Sequence, residues 1–315
     1  MREWLASHIR QSSIMKILVA GGTGFIGTHV VRELLSVDPD ISIRILTRRA
    51  QTANRWGKRV EFTQANVTKP ATLASTAAGV DIAVHAVQFP NHPIENPALG
   101  RTYLEVAGKG TRNMVEACKD ARVRRFVYLT CGGRAGGKNR LWITAREMAE
   151  NAVRESVMEY VILRPSFVYG PEDRSLNRMI GFTRHLPLVP VIGDGKATLR
   201  PVSVFDVARV AALAALRPGG LNRTYDLGGP QELTIDQVAR TIQKVLGKKR
   251  VLVHLPVALA KFIAGLLSML PKPPLSPAAV EFMLMQEKVD PGAAEKAFGM
   301  KFEDLETALR RYVGV

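Results

Sequence analysis

The sequence predicts an α/β protein, a doubly wound parallel sheet with a smaller C-terminal α/β lobe. Three observations carry this. Short apolar runs alternate with helical patterns over roughly the first 165 residues. A glycine-rich turn, Gly21-Gly22-Thr23-Gly24-Phe25-Ile26-Gly27, follows the first run directly. After Pro165 the alternation stops, and Pro171, Pro187, Pro190, Pro201, Pro218 and Pro230 divide the chain into short pieces.

The elements follow in order. Lys16 to Ala20 is a continuous apolar run ending in glycines, the pattern of a strand buried on both faces. From Phe25 to Val37, Ile26, Val30, Leu34 and Val37 recur at helical spacing. Further strands are expected at 41–46, 60–64, 81–86, 125–130 and 159–163, with helices at 102–121 and 140–155. Beyond Pro165, helices are expected at 204–216 and 234–246, with a short strand at 224–227. Thr234 is placed to cap the second of these helices, and Gly247 to end it. The expected organisation is an N-terminal extension at 1–14, a dinucleotide-binding domain at 15–170, and a smaller lobe at 171–315 on the substrate or partner side, interleaved with the first. Met15 reads as the functional start.

Composition narrows the function. The chain of 315 residues carries a formal net charge of +16 and is 46% hydrophobic, so it can build a large core. Its two cysteines, Cys118 and Cys131, are too few for a disulfide framework or a cysteine zinc site. No metal site is expected. A signal peptide pattern is absent from residues 1–14, and the reading is cytoplasmic. Excess positive charge suits an anionic membrane, an acidic protein or nucleic acid. Nucleic acid is the weakest of these, because no helix-turn-helix, RNA-recognition or zinc motif accompanies the charge.

The glycine turn is where chemistry enters. Gly21 is placed to make the tight turn, Gly24 to admit a pyrophosphate against the backbone, and Gly27 to let helix and strand pack closely. The N–H groups of the following helix would face the phosphates, at Thr23, Gly24, Phe25 and Ile26. A dinucleotide in a Rossmann-type fold is the expectation. Binders of NAD(H) usually end the second strand with a carboxylate for the ribose 2′-OH. Here the strand ends Thr47-Arg48-Arg49. A guanidinium favours a 2′-phosphate by charge and bidentate geometry, so Arg48 points to NADP(H), with NAD(H) left open.

The glycine turn, Gly110-Thr111-Arg112-Asn113, Arg164-Pro165-Ser166-Phe167-Val168-Tyr169-Gly170-Pro171 and Pro201-Val202-Ser203-Val204-Phe205-Asp206-Val207-Ala208 stand in this order along the chain. Together they resemble the extended and atypical short-chain dehydrogenase/reductases, the NAD-dependent epimerase/dehydratase-like proteins. Tyr225 to Pro230 with Leu233-Thr234, and the stretch from Leu255-Pro256 to Leu275, are similar to the group around the NAD(P)H-binding accessory subunit of respiratory complex I and its bacterial relatives. The resemblance runs from about Met15 to Val313. It implies a cofactor site that adds Asn66, Ala86, Thr130, Arg146 and Pro165 to the glycine turn and Arg48.

The resemblance also implies catalysis by a Tyr-x-x-x-Lys pair after the fifth strand, with a Ser or Thr just beyond that strand. The tyrosine transfers the proton that accompanies hydride transfer, and the lysine lowers its pKa and holds the nicotinamide ribose. Counting back from Tyr160 to Pro165 places this pair at Trp142 and Arg146. None of the six tyrosines (103, 128, 160, 169, 225 and 312) has lysine four residues on. Indole N–H is not an acid at neutral pH, and arginine does not deprotonate. Thr130 survives at the strand end, and Asn66 replaces the usual adenine-contact aspartate. The expectation is a pseudoenzyme, a non-catalytic or weakly catalytic accessory subunit of a larger assembly. An active reductase, epimerase or dehydratase with an unusual proton donor stays open, with Tyr169, Cys131 and His85 as candidate acids. The lobe beyond Pro171 would shape any substrate, with Asn177, Arg178 and Arg200 as contacts.

From Gln237 to Val280 the chain has no Asp or Glu, and Val257 to Leu270 is almost wholly apolar. That run is too short to cross a membrane. It reads either as a buried helix of the small lobe, or as a surface that docks an acidic protein or an anionic membrane from the cytoplasmic side.

Overall fold

The computed structural model describes residues 14–49, 56–132, 141–217, 221–270, 273, 275–284 and 288–313. Of the expected N-terminal extension only Ile14 falls within them, and the expected helix start at Arg140 lies outside them. The first half of the chain contains β1 (Lys16–Ala20), α1 (Phe25–Val37), β2 (Ser42–Thr47), β3 (Val60–Gln64) and β4 (Ile82–His85). A π-helical segment, Tyr103–Lys109, then runs into α2 (Gly110–Asp120), followed by β5 (Arg125–Leu129), α3 (Leu141–Glu155) and β6 (Glu159–Pro165). The remainder holds β7 (Val168–Tyr169), α4 (Ser175–His185), β8 (Leu188–Ile192), β9 (Thr198–Leu199), β10 (Val202–Ser203), α5 (Val204–Leu216) and β11 (Arg223–Leu227). Then come β12 (Leu233–Thr234), α6 (Ile235–Val245), β13 (Val251–Leu255), α7 (Val257–Leu267), α8 (Pro277–Met283), α9 (Gly292–Phe298) and α10 (Leu305–Val313).

Seven strands form one sheet in the order β11-β6-β5-β4-β1-β2-β3. Every neighbouring pair in it is parallel. All seven carboxyl ends therefore share one edge. The strand order reverses between β1 and β4, the place where open α/β sheets bind ligands. The apolar runs explain the burial: every residue of β4 and β5 is buried. Alternation sends Ile17 and Val19 to a cluster with α1, α5 and α9. Leu18 and Ala20 join the opposite cluster, with α2 and α3.

Two of the differences from the expected boundaries have a visible cause. The fourth strand begins at Ile82, because the Asp81 carboxylate accepts the Lys16 N–H at 2.7 Å and closes the sheet's entry edge. The expected helix at 102–121 is capped by the Thr102 hydroxyl, and its first seven residues are π-helical. Gly108 and Gly110 let that segment come close to α3 and the third-strand loop. A Cβ on Gly110 would stand 2.8 Å from Val67 Cγ2, and one on Gly108 3.3 Å from Ala145 Cα. The chain beyond Pro171 does not stay apart from the sheet. It supplies β11 at the edge and α5 on one face. A separate cluster of Tyr169, Leu176, Ile180, Val238, Ile242, Leu305 and Leu309 joins α4, α6 and α10. Thr234 caps α6 with a reciprocal capping box through Gln237.

Candidate functional site

The turn between β1 and α1 is a cradle. Gly21 has φ +87°, and a Cβ there would stand 2.4 Å from the Ala86 carbonyl oxygen. A Cβ on Gly27 would stand 2.1 Å from the Gly21 carbonyl oxygen. Gly24 N–H donates to Gly21 O at 2.9 Å and is the N-cap of α1, which has no side-chain cap and no acidic residue in its first turn. Thr23 and Gly24 are exposed. The first turn thus presents an exposed helix start with no side-chain cap, which suits an anionic pyrophosphate.

The other expected cofactor positions arrive on the same edge because they follow parallel strands. Arg48 follows β2, Asn66 follows β3, Ala86 follows β4, Thr130 follows β5, and Pro165 ends β6. Asn66 Oδ1 accepts Thr68 N–H at 3.1 Å, an Asx turn that holds the residue in place. Arg48 is exposed. Burial of part of the side chain, then the charges of Arg101 and Arg49, lower its pKa below the ordinary guanidinium value. Arg101 is a cation of this region that the sequence did not single out.

The candidate acids separate. His85 is fully buried, and its Nε2 lies 3.1 Å from Thr111 Oγ1, inside the layer between sheet and α2. Burial drives its pKa down to about 3, so it stays neutral. Tyr169 is also fully buried, within the small-lobe cluster, and burial raises its pKa. Neither opens on the carboxyl edge. The Thr130 side chain hydrogen-bonds to buried Tyr128, which also bonds to Thr111, so its hydroxyl belongs to that interior chain.

Cys131 is partly buried and packs in a cluster with Phe89, Tyr103 and Trp142. That cluster contains a pair the sequence did not reveal. Tyr103 Oη lies 3.1 Å from His92 Nε2. The two rings stack edge-on with each other and with Phe89 at centroid distances of 5.0 to 5.4 Å. Burial lowers the His92 pKa to about 4 and raises that of Tyr103, to which Cys131 and Glu95 add. Trp142 is buried in α3, with the Arg146 guanidinium 5.3 Å from its ring centre.

Several motif residues are structural. Arg164 Nε donates to the buried Glu150 of α3 at 2.7 Å, tying β6 to that helix. Asn177 donates to the carbonyls of Gly170, Pro171 and Asp173, so its amide braces a turn. Arg200 reaches the Gly229 carbonyl at 3.4 Å. Of the expected substrate contacts, the Asn177 amide is thus engaged by the fold, and Arg200 lies near the Gly229 and Pro230 carbonyls. Among the described residues, no group of three or more His, Cys, Asp or Glu could hold a metal ion.

A family model described as NAD(P)H-binding matches residues 21–218. The chain belongs to this family, within the extended short-chain dehydrogenase/reductases. This member is 33% identical over 145 residues to NADH dehydrogenase [ubiquinone] 1 alpha subcomplex subunit 9, mitochondrial, of Arabidopsis thaliana. That match covers 45% of the chain and 36% of the plant protein. It is 29% identical over 242 residues to the NAD(P)H azoreductase of Xenophilus azovorans, covering 74% of each. In fold it is similar to the dTDP-glucose 4,6-dehydratase DesIV of Streptomyces venezuelae, solved with NAD and TYD bound. That likeness has a TM-score of 0.74 at 22% identity, over 95% of this chain and 96% of the other. A nicotinamide dinucleotide is therefore the cofactor class.

Proposed function

We propose that this family member holds NADP(H) as an accessory subunit of a larger assembly and transfers hydride weakly or not at all. The observation that carries this reading is the Trp142–Arg146 pair on α3. An indole buried beneath a guanidinium occupies the place where the resemblance puts the acid. It has no proton to give at neutral pH, while Arg146 can still bond to a ribose hydroxyl. The likeness to a subunit of NADH dehydrogenase supports the accessory role. Contact with the assembly would run through residues 237–280, as a peripheral protein on the cytoplasmic membrane face.

The test is NADPH oxidation under single-turnover conditions. The unmodified chain should bind NADPH without oxidising it, and Trp142→Tyr with Arg146→Lys should gain carbonyl reduction. Steady oxidation by the unmodified chain with a quinone or a carbonyl would overturn the non-catalytic reading. A second reading, a working reductase, epimerase or dehydratase, is favoured by one observation, the Tyr103–His92 pair beside Cys131. Burial keeps that phenol protonated, so under this reading it donates a hydrogen bond to a substrate oxygen and the proton itself comes from solvent. Under that reading Tyr103→Phe abolishes the turnover.

The choice of NADP(H) over NAD(H) rests on Arg48, with Arg49 and Arg101 adding positive charge. Among the described residues no carboxylate pairs with Arg48 or Arg49. Arg48→Ala should weaken NADPH by about 10- to 100-fold, the loss of a charged hydrogen bond of ~1.5–3 kcal/mol, and leave NADH unchanged. Fluorescence titration of both nucleotides at one ionic strength measures this; equal weakening of the two would refute the 2′-phosphate role.

A further inference from the structure

α7 packs the wrong way round for a helix of a soluble lobe. Its buried residues are the small ones, Ala260 and Ala264, seated against Val280 of α8. The large ones face out: Leu259, Phe262, Ile263 and Leu266, with Met269 and Leu270 just beyond the helix end. Phe262 is 65% exposed, Leu266 56% and Met269 83%. The spacing of three and four residues puts Leu259, Phe262, Ile263 and Leu266 on one helical face. This arrangement overturns the reading of the run as a buried helix.

We infer that the α7–α8 hairpin docks this protein onto an anionic lipid bilayer, with Phe262, Ile263 and Leu266 entering the headgroup boundary. The inference deepens the membrane reading above and does not depend on the cofactor reading. Charge selects the occupant. No carboxylate lies between Asp236 and Glu281, while Lys248, Lys249 and Arg250 precede the strand that leads into α7. Glu281 itself is paired with Lys261 at 2.6 Å. A second copy is disfavoured, because each chain carries a formal +16. A rigid protein partner would gain little from this face alone. The eleven residues of α7 span on the order of 16 Å and, at a helix width of about 10 Å, offer a face on the order of 160 Å², short of the ~800 Å² per side of a stable interface. A bilayer needs no matching shape, and binding scales with inserted apolar area plus attraction to anionic lipid. Among the described residues no helix is long and apolar enough to cross a membrane, so α7 would lie on the surface. The hairpin also touches the cofactor side: Asn91 Nδ2, beside His92, donates to Pro273 O at 3.3 Å. Docking would therefore hold the carboxyl edge of the sheet near the lipid surface.

The experiment is flotation of the full chain with vesicles of phosphatidylcholine alone or mixed with phosphatidylglycerol. The chain should float with the anionic vesicles at low salt and much less with phosphatidylcholine. Phe262→Glu with Leu266→Glu should weaken flotation by roughly tenfold or more, because both side chains point away from the core. An unchanged melting temperature and NADPH titration in that variant would show that fold and cofactor site are intact. Equal flotation of variant and unmodified chain would overturn the inference. So would a Phe262-dependent dimer in sedimentation, which makes a second copy the occupant. Failure to float with either vesicle would overturn it in favour of a protein partner. None of these outcomes bears on NADPH binding, which the titration reads separately.

Discussion

Gly27→Ala is expected to abolish dinucleotide binding and to lower the melting temperature together. The new Cβ would stand 2.1 Å from the Gly21 carbonyl oxygen, 2.7 Å from its carbon and 2.9 Å from Gly22 Cα. All three are backbone atoms of the turn that must meet the pyrophosphate, so no side chain can swing aside. Either α1 moves out or the turn opens. Overpacking of this kind costs ~1–3 kcal/mol of stability, and the misplaced N–H groups should raise the NADPH dissociation constant at least ~100-fold. Gly24→Ala is the control. There the nearest atom is the Gly21 carbonyl oxygen at 3.2 Å, so the fold should hold while the Cβ intrudes on the ligand's approach. Calorimetry beside titration separates the two effects. A Gly27→Ala protein that binds NADPH normally would remove the cradle from the account.

Arg125→Met should be the most destabilising single change in the sheet. Arg125 is 2% exposed, at the first position of β5. Its Nε donates to Glu159 at 3.0 Å, and its Nη1 donates to the carbonyls of Ala214, Ala215 and Arg217 at 3.1, 2.8 and 2.6 Å. Those carbonyls end α5, which has no basic residue of its own in its last turn. A strand residue thus supplies both the hydrogen bonds and the positive charge that the helix end requires. Methionine fills much of the volume but leaves those carbonyls without that donor. The expected loss is ~3–5 kcal/mol, read as a lower denaturation midpoint. Arg125→Lys, which keeps the charge without the fork, should fall between the two. A loss below ~1 kcal/mol in Arg125→Met would show that the carbonyls find other donors.

Much of this was legible in the residues. The largely apolar runs at β1, β4 and β5 named the central strands of the main sheet, because a strand covered on both faces needs apolar residues almost throughout. The glycine turn named the cofactor class. Strands of two residues, such as β7, β9 and β12, carry no periodicity and left no trace. Arg125 looked like an ordinary cation at a strand start, since its carbonyl partners lie 89 to 92 positions away and Glu159 34. The Tyr103–His92 pair was equally silent, because its members come from the start of a π-helical segment and a loop, with no motif to join them.

The amino-acid sequence by itself determined the dinucleotide turn and its order on the chain. Both depend on backbone conformations and strand burial that residue type dictates locally. Only the tertiary structure decided which polar groups meet. Parallel pairing brought Arg48, Asn66, Ala86 and Pro165 to one edge, while layer packing sealed His85 and Tyr169 inside it. It also decided that α7 rests on its alanines and presents its large side chains outward. The apolar run was plain from composition; which face it covers is a property of the neighbours it packs against.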